Sequence, residues 1–182
     1  MAPRRRCNNV LVSGEPLSSQ WVINWRLEVS DFVGAALHNF EERFGFAPGA
    51  NLIRVPSADD RSAAGAISRD SLCPPDLVTF YESIGEVSLP DVSVGYFIHS
   101  PRLVLSQYSQ GGPVFLPKSN DPHGLVIGSD GGGHLYAADW AGSVHLSRAA
   151  SFEAEFDQVA ATIGEYLDQL RTKIRQFALN DD

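Results

Sequence analysis

The sequence predicts an α+β domain: a mostly antiparallel sheet, helices packed on one side of it, and a long helix at the C-terminus. Two observations carry that expectation. Leu125-Val126-Ile127 leads into Asp130-Gly131-Gly132-Gly133, and His134-Leu135-Tyr136-Ala137-Ala138 leaves it. With the Trp140-Ala141-Gly142 turn and the alternating Ser143–Ser147 run, this spells three strands joined by short turns, an antiparallel meander. Further on, Phe152, Phe156, Val159, Ile163, Leu167, Leu170, Ile174 and Phe177 step by threes and fours. Such a stripe suits a helix that covers one face of a sheet.

The glycine run admits two readings, a phosphate loop or a hairpin turn. A phosphate loop feeds its backbone N–H groups into a helix N-terminus and is usually followed by a Lys-Ser/Thr pair. Here the glycines lead into an aromatic-bearing alternation and no lysine follows. Asp-Gly between two apolar runs is a hairpin signal, and the hairpin is the expectation.

Taken in order, Ile23, Trp25, Leu27 and Val29 alternate with polar residues, the period of a half-buried strand. Ser30 is the expected N-cap of a following helix, with Asp31 near its positive end. Val33, Ala36, Leu37, Phe40 and Phe44 form its apolar side, and Gly45 stops it. Asn51–Val55 could be a short strand. The stretch 57–69 has Ile67 as its one large aliphatic residue and is expected to be a mobile insertion. From Leu72 to Gly85, prolines and Asp76 open a helix whose stripe is Leu77, Phe80, Tyr81 and Ile84. Ser88–Asp91 is an expected turn, Val94–His99 a strand, and Val114–Leu116 a strand that pairs with it or with the one before the glycines. Ser119-Asn120-Asp121-Pro122-His123-Gly124 is turn chemistry. Ser151 is the expected N-cap of the last and longest helix, with Glu153, Glu155 and Asp157 at its start and Arg171, Lys173 and Arg175 near its end. Residues 1–71 thus form a strand-helix extension with an insertion, packed on a core at 72–180, within one globular domain.

Composition bounds the function. The chain has 182 residues, 43% hydrophobic and 20% charged, as expected for a soluble globular protein with one sizeable core. No apolar run reaches the ~20 residues that span a bilayer. Met1–Arg6 is basic but lacks a following apolar segment, so it is not a signal peptide. A net charge of −8 argues against nucleic acid as a partner and is compatible with a basic protein. Two cysteines, Cys7 and Cys73, lack CxxC spacing, and free thiols in a reducing cytoplasm are expected.

Candidate chemistry is sparse. His134 and His145 lie on neighbouring strands near Asp130 and Asp139, but without HxH, HxxxH or HExxH spacing; His134 and Tyr136 are expected on the outward face, opposite Leu135 and Ala137. No metal or cofactor is expected. There is no GxSxG elbow, and Ser129, Asp130 and His134 sit too close in sequence for a triad. Cys73, beside two prolines, is expected to be a small buried hydrophobe. What remains is recognition: Asp130, Tyr136, Asp139 and Trp140 are either core and turn residues or candidate anchors of a protein interface.

Several stretches together resemble the SUKH superfamily, which includes the SMI/KNR-type cell-wall regulators and many bacterial immunity proteins. They are Leu72-Cys73-Pro74-Pro75-Asp76-Leu77-Val78-Thr79-Phe80-Tyr81, Leu89-Pro90-Asp91-Val92 with Gly95-Tyr96-Phe97-Ile98, the run Ile127–Asp139 with Gly142-Ser143-Val144, and Ala150-Ser151-Phe152-Glu153. The resemblance covers roughly residues 72 to 178. Cys73 before the prolines, and Gly85-Glu86 where the family commonly has Asn-Gly-Gly, depart from its pattern. The resemblance implies a non-enzymatic protein that binds and neutralises a cognate toxin. The alternatives are a regulatory or scaffold protein of cell-wall or developmental signalling, and a metal- or ligand-binding sensor.

Overall fold

The computed structural model describes residues 16–69, 73–119 and 122–179. The basic run Met1–Arg6, Cys7, Leu72 and the Asn120-Asp121 part of the expected turn lie outside them.

Where a strand was expected at Ile23–Val29, the chain forms helix α1 (Ser19–Leu37). Ser18 caps it, its hydroxyl accepting the Trp21 N–H at 3.2 Å. The alternation was a coincidence of a short window. Of its four apolar residues only Trp25 and Val29, four apart, are buried, and Leu27 is 54% exposed. Val22, Val33 and Ala36 continue the helical spacing. Ser30 and Asp31 are consequently mid-helix, and the Ser30 hydroxyl donates to the Arg26 carbonyl at 2.8 Å instead of capping. After a break the chain resumes as α2 (Phe40–Phe44), which Gly45 closes in the left-handed conformation, as expected.

Strand β1 (Leu52–Arg54) follows as expected, but the stretch expected to be a mobile insertion is helix α3 (Ala58–Arg69). Its start is a reciprocal cap. The Ser57 hydroxyl accepts the Asp60 N–H at 3.1 Å, while Asp60 Oδ2 accepts the Ser57 N–H at 2.8 Å. The Arg54 guanidinium donates to the same oxygen at 2.5 Å. Ala63, Ala64 and Ile67 are buried, so small residues give this helix a core face that a count of large side chains overlooks. Burial alone would raise the Asp60 carboxyl, but the Arg54 and Ser57 hydrogen bonds and the Arg54 charge outweigh it and hold it at about 2.

The next helix, α4 (Pro75–Ser83), is the expected one, with Leu77, Phe80, Tyr81 and the adjoining Ile84 buried. Strand β2 (Glu86–Leu89) runs through Ser88-Leu89, so the expected turn begins only at Pro90. β3 (Tyr96–Ile98) precedes α5 (Pro101–Gly111), a helix not anticipated although Ser100-Pro101 supplies both its cap and its first-turn proline. β4 (Val114–Phe115) pairs with β5 (His123–Asp130), and β6 (Leu135–Asp139) and β7 (Val144–Ser147) complete the expected meander.

The end of the chain differs most. Residues 156–160 form strand β8 (Phe156–Ala160), and helix α6 (Ile163–Leu179) begins well after Ser151. Thr162 starts it, its hydroxyl accepting the Glu165 N–H at 3.0 Å. Phe152 is therefore exposed, and Glu155 and Asp157 pair with Arg148 rather than with a helix dipole. Ile163, Leu167, Leu170 and Ile174 do form the expected buried stripe.

The sheet has eight strands in the order β1-β2-β3-β5-β6-β7-β8, all pairs antiparallel, with β4 beside β5. Pairing of β1 with β2 and burial of Val22, Trp25 and Val29 with Phe80, Leu167 and Leu170 put both sides of the expected boundary at residue 71 into one core. Side chains of α1, α3, α4, α5 and α6 pack on one face of the sheet. The other face holds a small cluster, Val114, Leu116, Val126, Leu135, Ala137 and Phe156, with no helical residue in it. Tyr136 faces the helices, which reverses its expected outward position. At the sheet's end, the register shifts between Val144 and His145, and the Gln169 amide donates to the Val159 carbonyl at 3.0 Å.

The α3 cap makes a prediction. Asp60→Asn is expected to cost about 2 kcal/mol in urea unfolding, since it removes a charge-assisted acceptor from Arg54 and Ser57. The depressed carboxyl contributes stability that is complete above its ordinary value of 3.8 and is lost as pH falls through about 2. A pH series from 5 to 2 should therefore show a shallower decline in the variant.

Candidate functional site

The two aspartates singled out by sequence close two hairpins built on one plan. In the first, the Asp130 N–H donates to the His134 carbonyl at 2.9 Å and the Gly133 N–H returns to the Asp130 carbonyl at 3.1 Å. Gly133 is left-handed, with φ 83°. Asp130 Oδ1 accepts the N–H groups of Gly132 and His134, both at 2.9 Å. In the second, the Asp139 N–H donates to the Ser143 carbonyl and the Gly142 N–H returns to the Asp139 carbonyl, both at 3.0 Å, and Asp139 Oδ1 accepts the N–H groups of Ala141 and Ser143 at 3.0 and 2.9 Å. Each carboxylate also meets an imidazole: Asp130 Oδ2 lies 3.0 Å from His134 Nδ1, and Asp139 Oδ2 lies 3.3 Å from His145 Nε2. The acids are turn-makers.

This settles the glycine run as a turn. The Gly131 N–H donates to the carbonyls of Val94 and Gly95, and those of Gly132 and Gly133 go to Asp130. All three donors are thus engaged within the protein, and the chain continues into β6. A Cβ on Gly131 would lie inside van der Waals contact with the Val94 carbonyl oxygen, so close backbone approach demands glycine there.

Asp139 and His145 are both buried, and the Ser119 hydroxyl donates to Asp139 Oδ2 at 2.6 Å. Burial pushes the Asp139 carboxyl up, but His145, Ser119 and the Ser143 N–H together hold it below the usual carboxylate range. Serine, histidine and aspartate are present, yet the order differs from a nucleophilic triad. There the histidine stands between the other two and takes the serine proton; here the aspartate stands between them and only accepts a hydrogen bond from the hydroxyl. Among the described residues, no three His, Cys, Asp or Glu side chains gather as metal ligands. Burial pushes the Cys73 thiol up to about 12, leaving little thiolate at neutral pH.

Of the four candidate anchors, Tyr136 and Asp139 are buried and therefore out of a partner's reach. Trp140 is half-buried and packs against the main core, and Asp130 is partly exposed but committed to its turn. Two other features were not anticipated. Phe40, expected with Phe44 on a helix's core side, is buried, whereas Phe44 and Phe46 are 42% and 56% exposed. Their rings form one cluster, with centroids 4.4 Å apart for Phe40–Phe44 and 5.5 Å for Phe40–Phe46. The Arg43 guanidinium lies over Phe44 at 5.0 Å and reaches Phe177 of α6 at 5.9 Å. The spacing Phe40-x-x-x-Phe44-Gly45-Phe46 held that signal, because the helix ends between its last two aromatics.

The second feature is a cleft of about 40 Å³ between the sheet and α6, lined by Tyr96, Tyr136 and Tyr166 with Leu170, Gln169 and Lys173. Tyr96, Tyr136 and Tyr166 come from β3, β6 and α6, elements far apart in the chain. The Tyr136 and Tyr166 rings lie 5.0 Å apart. Burial pushes the Tyr136 hydroxyl up to about 12, with the Asp130 charge adding to it, and burial also raises the Tyr166 hydroxyl well above its ordinary value.

The chain matches no family model, no curated protein and no solved structure.

Three substitutions test the turn plan. Asp139→Ala leaves two N–H groups, a hydroxyl and an imidazole without their acceptor and is expected to cost about 3 kcal/mol or more, against about 1 for Asp130→Ala at its more exposed turn. Gly131→Ala is expected to cost about 1–3 kcal/mol from its clash with the Val94 carbonyl. Thermal and urea unfolding would measure all three, and equal losses at the two aspartates would contradict the ranking.

Proposed function

We propose that this chain is a protein-binding module without catalytic activity, and that it neutralises a cognate toxin by covering the toxin's working surface. The observation that carries the reading is the aromatic cluster of Phe44 and Phe46 with Arg43. Phenylalanine and arginine are residue types enriched at protein interfaces, and exposed rings backed by a buried one form a rigid anchor. Glu41 and Glu42 are exposed beside it and, with the net charge of −8, favour a basic partner surface. The resemblance to the SUKH superfamily supports the toxin-neutralising role over a general scaffold.

The test is co-expression with the C-terminal domain of a large secreted protein encoded beside this chain. Rescue of growth and recovery of a complex are expected, and a neighbourhood with no such protein, or no rescue by the native chain, would overturn the reading. Phe44→Ala with Phe46→Ala is expected to weaken the complex by about 2–4 kcal/mol. Unfolding of the free protein should move far less, because both rings are already substantially exposed.

A further inference from the structure

We propose that the His99 side chain is a proton-operated latch on helix α5. Neutral, it lets α5 lie closed against the sheet, and its protonation in mild acid opens α5 while the rest of the core stays folded. The residues of the latch, His99 and Gln107, are not those of the Phe44–Phe46 surface, so it stands independently of the toxin-neutralising reading.

His99 lies between the end of β3 and the start of α5, and its backbone is tied down on both sides. Its N–H donates to the Ile127 carbonyl at 2.8 Å, and its carbonyl accepts the Tyr81 hydroxyl at 3.1 Å. The side chain is not tied. Nδ1 of the ring and Oε1 of the neighbouring Gln107, on α5, are the two buried side-chain polar atoms that complete no hydrogen bond among the described residues. Such groups are nearly always paired when buried, so α5 is poorly fastened where it meets the sheet. The helix is also lightly buried. Of its eleven residues Pro101 and Val104 are buried, against Leu77, Phe80 and Tyr81 in the nine of α4. Few buried apolar side chains put a segment among those that open first.

Burial disfavours the charged ring and holds the imidazole below its ordinary value of 6.5, outweighing the Gln107 amide and the Glu86 carboxylate, which favour the charge. Glu86 comes level with His99 in the β2–β3 register, but Arg54 already holds it at 3.3 Å while also binding Asp60. The other neighbours bring no counter-charge. Tyr81 and the nearby Cys73 thiol stay protonated, and the adjoining stretch of β5, Leu125–Gly128, is uncharged. Arg102 of α5 is exposed and faces Asp59 of α3 at 3.5 Å. A proton on the ring therefore adds a buried cation without a dedicated partner, and swinging α5 aside returns that cation to water. With α5 open the ring takes up its proton near 6.5; with α5 closed it does so only at lower pH. Closure is therefore strongest above 6.5 and weakens as pH falls below it.

The test follows amide hydrogen exchange of the full chain between about pH 7.5 and 5.5, corrected for the intrinsic pH dependence of exchange, together with NMR titration of the His99 ring. Opening of α5, read at the amides of 103–111, is expected to rise several-fold, up to about the tenfold that one proton allows over that range, with α1 and α6 unchanged. The ring should titrate with a midpoint below 6.5. His99→Gln, which takes up no proton, should remove the pH dependence. Gln107→Glu places a carboxylate beside the ring and should reverse it, α5 closing more firmly in mild acid; this variant keeps the proposal testable should His99→Gln fail to fold. A ring midpoint at or above 6.5, α5 protection that does not change with pH, an equal loss across α1 and α6, or the native response in both variants would overturn the proposal.

Discussion

The architecture depends on the way α1 and α6 lock together over one face of the sheet. The Trp25 indole N–H donates to the Leu167 carbonyl at 2.8 Å in the buried interior, across 142 positions of sequence. Its ring packs edge-on against Phe80, with centroids 6.4 Å apart, so one side chain ties α1 to both α6 and α4. Tryptophan is suited to this position because it combines a large apolar surface with a single donor that must be satisfied when buried. On the surface, Arg171 of α6 bridges Glu28 of α1 and its own neighbour Asp168. That exposed network contributes little beside the buried contact.

How much of this was legible from sequence follows the range of the forces involved. The meander from β5 to β7 was readable because Asp-x-x-Gly turns form from local backbone chemistry and the two turns repeat nine residues apart. Helix α4 was readable for the same reason, with its prolines and stripe in one window. The strand expected at Ile23–Val29 failed because Trp25 and Val29 satisfy both a two-residue and a four-residue spacing, and only packing against α6 decides between them. At 57–69, Ser57 and Asp60 carried the start of a helix, but their partner Arg54 lies on the preceding strand. Near Ser151, a stripe of three-and-four spacing ran through β8, where Phe156 and Ala160 face opposite sides of the sheet.

The candidate surfaces were less legible than the turns. Asp130 and Asp139 drew attention as acids near aromatics, and their charge is used within the protein to hold backbone N–H groups. Tyr136 and Trp140 turned out to be packing residues. The tyrosine cleft could not be read from any one segment, since each ring arrives on a different element. Phe46 was overlooked because it follows the residue that ends α2, beyond the stripe that a helical period would collect.

One detail of the last strand bears on how the protein behaves in a crowded solution. A sheet that is not closed exposes terminal strands, and unpaired backbone there can recruit another copy and grow into fibrils. At β8 the ladder is interrupted by the register shift opposite Val144, the Val159 carbonyl is occupied by Gln169, and Asp157 is flanked by Arg148 and Lys118. At the other end, β1 is three residues long and has the Arg54 guanidinium on it. Neither end presents a long, flat, uncharged template, so the same residues that finish the fold also keep neighbouring molecules from extending it.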